Sequence, residues 1–392
     1  MNEKIICAVQ NKIEYFDGEC WKLLTSQYLD KYIANRIALQ RKNEWKTKGF
    51  HAAFRGDFDY SHALDADTMH NQASITGLAF INQGKEVIYS VTIENNSGLF
   101  RKSLMDNIEV EGHILHNANI AISNLDYNEK SDEIVFSIQN EKGEKNLAKM
   151  HSTGACYQEI TEGDSMDDNP IWDHEDSHII YYETSGIIRD YNGMIINYGP
   201  KAINRLNLKT AEVDEFISHP DYDYFDPKID KVGNLYCIQK PYKSLMGNSL
   251  SLKDTLLIPC KLLKAIFNWI EFFTIRNTGA PLTSGGPTVA KSQNDLKQII
   301  INNNIINAEK IIKENMLKGE KYPGFAPRNW ELVKYDREGN CSLVKKGVID
   351  YDIIGMGEAI ISNGKYLLKI DQNFNAVEIK KMDFVSKVKI YP

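Results

Sequence analysis

Residues 169–182 read NPIWDHEDSHIIYY, and residues 201–216 read KAINRLNLKTAEVDEF. Each is a short apolar run, a polar turn, then a second apolar run. Alternating apolar and polar positions broken by Asp, Asn or Gly are what half-buried antiparallel hairpins require. The first pattern recurs in Ile75–Tyr89 (ITGLAFINQGKEVIY), Ile122–Phe136 (ISNLDYNEKSDEIVF) and Asp226–Cys237 (DPKIDKVGNLYC), with ends 47, 45 and 56 residues apart. The second recurs in 13–23, 99–114, 147–160, 332–344 and 367–379. A unit of roughly 40–50 residues built from two hairpins is a propeller blade. The pattern therefore predicts an all-β chain: a β-propeller of about six four-stranded blades, or seven if Phe50–Tyr60 supplies its own.

The same two stretches carry a resemblance. They are similar to the TolB-type β-propeller repeat, with its Pro-x-Trp-(Ser/Asp) strand and its x-Arg-x-(Asp/Asn)-Leu-x-Thr-(Gly/Ala)-Glu hairpin. The resemblance implies the fold and leaves function open, because propellers serve as scaffolds, transporter accessories and enzyme domains. The segment Leu256–Gly286 resembles an insert of uncharacterised bacterial propellers encoded beside MoxR-type ATPases and von Willebrand A proteins. That second resemblance implies a component of a bacterial conflict or antiviral defence system.

Composition narrows the class. With 42% hydrophobic and 25% charged residues, the 392-residue chain is an ordinary globular one and not a disordered one. Its 53 acidic and 46 basic residues leave a net charge of -7, which argues against nucleic acid as a partner. The first ten residues have no long apolar core, so no secretory signal is expected. The six cysteines are scattered without a CxxC pair, which disfavours a cysteine zinc site and fits a cytoplasmic protein with reduced thiols.

Two regions break the repeat. Residues 25–48 read as a helix, capped by Thr25 or Ser26, with Leu29, Ile33 and Ile37 on one face. Its six Lys and Arg against two acids mark a solvated face, or a contact for an acidic partner or nucleic acid. Residues 243–328 form a larger break that divides the propeller into 1–242 and 329–392. Within it a helix is expected from about 254, apolar at Phe267, Trp269, Phe272 and Phe273. It is too short and too charged to span a membrane, so those four residues are expected to contact a partner or the propeller. A second helix is expected over Ser292–Lys318.

Chemistry is sparse. There is no GxSxG and no GxxxxGK[ST], so neither a nucleophile elbow nor a phosphate loop is present. His51, His62 and His70 lie near Asp57, Asp59, Asp65 and Asp67, at spacings that match no helical or hairpin ligand set. The repeat register is more specific. Loops joining one blade to the next share a face, and three of them are acidic. They contribute Asp164, Asp167 and Asp168, then Asp221, Tyr222, Asp223, Tyr224 and Asp226, then Asp350 and Asp352. Exposed and unpaired there, these groups suit a protein partner with a basic segment, or a calcium ion, while no other cofactor is expected. The reading is a non-enzymatic protein-interaction scaffold. The alternative is a metal-dependent propeller hydrolase or lyase with its site at the central pore.

Overall fold

The computed structural model describes residues 3–9, 12–47, 73–93, 96–105, 111–118, 120–244, 298–301, 304–355 and 357–391. The first blade begins with the meander β1 (Lys4–Val9), β2 (Lys12–Phe16) and β3 (Trp21–Leu24). Helix α1 (Gln27–Thr47) follows. The second blade is β4 (Ala73–Ile81), β5 (Glu86–Ile93), β6 (Asn96–Ser103) and β7 (Glu111–Ala118). The third is β8 (Ala121–Asn128), β9 (Glu133–Gln139), β10 (Lys145–His151) and β11 (Gln158–Glu159).

In the fourth blade, β12 (Asp168–Trp172) and β13 (Ile179–Thr184) are followed by a separate hairpin, β14 (Ile187–Arg189) and β15 (Ile195–Tyr198). β16 (Ala202–Asn207) and β17 (Glu212–Ile217) complete that blade. The fifth opens with β18 (Tyr222–Ile229) and β19 (Leu235–Pro241). It is then interrupted by the described part of the insert: hairpin β20 (Gln298–Ile301) and β21 (Asn304–Asn307), and helix α2 (Ala308–Leu317). β22 (Glu331–Tyr335) and β23 (Cys341–Lys346) resume it. The sixth blade is β24 (Asp350–Gly355), β25 (Glu358–Ser362), β26 (Tyr366–Ile370) and β27 (Ala376–Lys381).

The last strand, β28 (Val385–Tyr391), pairs antiparallel with β1 and becomes the innermost strand of the first blade. One sheet thus joins both ends of the chain and closes a ring of six four-stranded blades. The ring is complete without a seventh blade, and residues 50–60 lie outside the described residues.

The core lies between blades. Phe225 and Tyr236 of the fifth blade pack with Tyr351, Ile361 and Leu368 of the sixth. Leu29 and Ile33 of α1 pack with Ile6, Tyr15, Tyr89 and Phe100, so the helix covers the seam between the first and second blades. Ser26 Oγ accepts from Leu29 N at 3.3 Å, and a remote carboxylate, Glu111, accepts from Tyr28 N at 2.7 Å. Both satisfy N–H groups that a helix start leaves without partners.

The expected helix over 292–318 is half wrong. Ile299 pairs with Ile306 and Ile300 with Ile305 in β20–β21. β-branched side chains favour a pleated strand over a helix. The helix starts only where Asn307 Oδ1 caps Lys310 N at 3.0 Å, and Gly319, at φ 72°, follows its end. The expected apolar helix with Phe267, Trp269, Phe272 and Phe273 lies outside the described residues.

Inner strands approach closely where β4 passes β8. A Cβ on Gly77 would sit 2.7 Å from Leu125 Cγ and 2.9 Å from Asn124 N, and that backbone cannot yield as a side-chain tip can. Gly77→Ala should therefore destabilise the protein by about 1–3 kcal/mol, as other overpacked sites do. Equilibrium denaturation measures it. An unchanged midpoint would mean that these strands stand further apart than described.

The central channel, a candidate functional site

An innermost strand has a sheet partner on one side only, so alternate N–H groups face the next blade and need acceptors. Each of the six inner strands also breaks register with its neighbour. In three consecutive ones the break falls at the same place, after Ser123, Asp168 and Phe225. The residues there, Asn124, Asn169 and Asp226, all have positive φ, at 52°, 48° and 53°. Asn and Asp are the side chains that tolerate that region.

Carboxylates supply the acceptors. Asp126 of the third blade accepts from Trp172 N of the fourth at 2.9 Å. Glu183 of the fourth accepts from Asp226 N of the fifth at 2.8 Å and from Asn169 Nδ2 at 2.7 Å. Asp223 accepts from Lys201 N at 2.9 Å. Asp350 and Asp352 of the sixth accept from Val388 N at 2.6 Å and Ile390 N at 2.8 Å on β28. The ring is closed by side chains as well as by strand pairing.

Lysines balance these charges. Lys145 bonds Asp168, and Lys201 bonds Glu183. Lys228 lies 2.8 Å from Asp226, Lys240 3.2 Å from Asp223, and Lys387 3.4 Å from Asp350. Lys389 reaches Asp126 at 3.1 Å, joining the first blade to the third. Burial opposes the Asp168 charge, but Lys145 and Lys201 outweigh it and hold the carboxyl well below its usual range. Burial likewise opposes the Lys228 charge, and Asp226, Asp352 and Asp350 together hold the ammonium above its ordinary range. At the channel's waist a cavity of about 20 Å³ is lined by Asn124, Asn169, Asp226, Lys228, Asp350 and Lys387. Where the inner strands end, the channel widens to about 240 Å³ between Asp126, Trp172, Lys228, Asp352, Lys389 and Tyr391.

This geometry corrects the picture of an exposed, unpaired acidic face. Asp167, Asp223, Asp226 and Asp350 are buried, as is Tyr224, and Asp168 and Asp352 are largely covered. They belong to the inner strands or their first turns, not to free loops. Asp167 accepts from Thr184 Oγ1 at 2.6 Å. Tyr222 is half-buried, and Asp221 alone of its group stays exposed. Asp164 is exposed but bound to Arg189 at 2.6 Å. Sequence reading missed the lysines. Lys387 and Lys389 stand two apart in VSKVKIY, a period-two signal that aims both side chains the same way.

Among the described residues, no group of three His, Cys, Asp or Glu is arranged to hold a metal ion. His51, His62 and His70 lie outside those residues. Cys7, Cys20, Cys156, Cys237 and Cys341 are free thiols. No helix among the described residues is long and apolar enough to cross a membrane.

No protein-family model matches the sequence, and no curated protein matches it. Solved structures do. TolB from Acinetobacter baumannii superposes with a TM-score of 0.51 at 8% identity, over 98% of this chain and 66% of that one. This chain thus spans just under two thirds of that TolB's length. A chain of a nidogen/laminin complex aligns with a TM-score of 0.48 at 8% identity, over 100% of this chain and 98% of that one. At such identities the TolB likeness is one of fold, and it agrees with the blade repeat.

Asp350 gives the channel a measurable pH response. Burial pushes its carboxyl up to about 6, with the Asp226 charge adding to burial and Lys387 and Lys228 opposing it. Between pH 4 and 6 the folded chain keeps a proton there that the unfolded chain has released, so stability falls as pH rises through that window. Asp350→Asn removes this slope. The stability of wild type minus variant, from denaturation at pH 4 to 7, should drop by on the order of 1–3 kcal/mol across the window. A flat or rising difference would show Asp350 ionised throughout.

Proposed function

We propose that this propeller is a non-enzymatic protein-interaction scaffold, acting in the cytoplasm within a multi-protein assembly of the conflict-system kind that its 256–286 segment resembles. The β14–β15 hairpin carries the reading. It stands off the fourth blade with Tyr191 96% exposed, Met194 60% and Ile188 44%. Its stem is held beside the turn: Arg189, the last residue of β14, binds Asp164 at 2.6 Å and Glu144 at 3.1 Å. An exposed aromatic and a methionine on an anchored stem are the composition of an interface core.

Asp221 is exposed and, like Asp164, lies in a loop that leads into an inner strand, which supports a basic segment on the partner. The reading needs no cofactor. The rival, a metal-dependent hydrolase or lyase at the pore, needs carboxylates free to ligate. Asp126, Asp168, Asp223, Asp226 and Asp350 instead each face a lysine ammonium.

Tyr191→Asp with Met194→Asp should abolish co-purification with partners from source cells. Stability should stay within about 0.5 kcal/mol, as for exposed sites generally. With an isolated partner, Asp221→Asn should slow association more than it speeds dissociation, because exposed charges act by steering. Asp223→Asn should instead destabilise the fold, since it removes a carboxylate partner from the largely covered Lys240. If the doubly substituted hairpin retains the same partners at the same affinity, the interaction surface is elsewhere and this reading fails.

A further inference from the structure

A cavity of about 660 Å³ lies between the fifth blade and the described part of its insert. On the blade side it is bounded by the end of β19, the start of β22 and the end of β23. On the insert side it is bounded by β21 and α2. Buried Trp330 and Ile306, with Ile311 of α2, give it an apolar surface. Cavities of roughly 300–1,000 Å³ with apolar walls and a few convergent polar groups are the usual form of a small-molecule site.

The polar groups are cationic. Lys240, Lys243, Lys318, Arg328 and Lys346 line the cavity, against Glu314 and Glu331. The acids are already engaged, Glu331 with Lys346 at 2.6 Å and Glu314 with Lys310 at 3.9 Å. Arg328 faces Glu320 at 3.6 Å. Among the described residues Lys243 and Lys318 have no carboxylate partner, although the chain as a whole carries a net charge of -7.

Lys240 is the deepest cation, with its side chain 14% exposed. It lies 5.7 Å from the centre of the Trp330 ring. Burial depresses its pKa, the nearby Lys201 charge adds to that, and Asp223 opposes both. An anion in the cavity would add to the Asp223 charge that opposes this burial.

We infer that this cleft binds an organic anion, a phosphate or carboxylate head group on an apolar body, with the head toward Lys240, Lys243 and Lys318 and the body against Trp330 and Ile311. The inference is independent of the hairpin contact.

Calorimetric titration of the full chain at low salt tests it, with phenyl phosphate, benzoate, inorganic phosphate and benzyl alcohol as probes. At least one of the two aromatic anions should saturate one site about tenfold more tightly than inorganic phosphate, and benzyl alcohol should not bind. The tighter of the two names the head group. Lys243→Gln with Lys318→Gln, both exposed, should weaken binding about tenfold at an unchanged melting temperature. Lys240→Met should weaken it further, and Lys240→Arg, which keeps the ion pair with Asp223, should recover most of the loss. The absence of saturable binding by either aromatic anion overturns the proposal. So does binding that ignores the loss of Lys243 and Lys318.

Discussion

A strand at the centre of a propeller has no sheet partner on its inner side. The N–H groups on that side are buried by the neighbouring blade, and leaving one unpaired costs about 1–3 kcal/mol. In this chain carboxylates of the adjacent blades take that role: Asp126, Glu183, Asp350 and Asp352 each accept an inner-strand N–H across a seam, and Asp223 accepts the Lys201 N–H that leads into β16. The solution brings a second problem. A buried carboxylate without a counter-charge is far more costly than an unpaired amide. The lysines follow from that, and so do their positions. Asp126 has Lys389, Asp223 has Lys240 and Asp350 has Lys387. Remove an acid and both an N–H and an ammonium lose a partner.

Buried ion pairs are weak evidence for stability, because desolvation offsets much of the attraction. Their use here is in register. The bulges at Asn124, Asn169 and Asp226 occupy one position in three consecutive blades. A one-residue slip there would turn every inner side chain to the wrong face. Acids that must meet a particular N–H in the next blade oppose such a slip. The apolar seams alone, filled mostly by Ile, Leu, Val, Phe and Tyr, would tolerate it better. Closure depends on the same device: β28 is held by its ladder with β1 and also by Asp350 and Asp352 from the other flank.

The blades were legible because hairpin alternation is a local signal. Thirteen to twenty-three, 99–114, 147–160, 203–217, 332–344 and 367–379 all read as hairpins and are hairpins. The channel was not legible, for a physical reason. Asp is depleted in strands, so Asp-Tyr-Asp at 221–223 and 350–352 reads as turn chemistry. Only a neighbouring blade, distant in sequence, supplies the N–H groups and lysines that make a strand of it. The 298–307 hairpin was misread for the opposite reason: its isoleucines suit a helix face as well as a strand, and their β-branching should have decided.

Both interruptions of the blade pattern among the described residues after α1 fall between second and third strands, in the fourth and fifth blades. That position puts them on one face and side by side. They are also joined: Asn197 Nδ2 of the hairpin donates to Ser244 Oγ at 2.9 Å, and Tyr242 Oη donates to the Tyr198 carbonyl at 2.5 Å. The ring beneath is rigid because its seams are apolar and its channel is cross-linked by charge. Loops carried on such a scaffold can vary without disturbing it, which is where function collects. The channel's acids and lysines are spent on one another, whereas Tyr191, Met194, Lys243 and Lys318 are not needed by any blade. A side chain that the fold does not use, held in place by neighbours that the fold does use, is free to be shaped by what it binds.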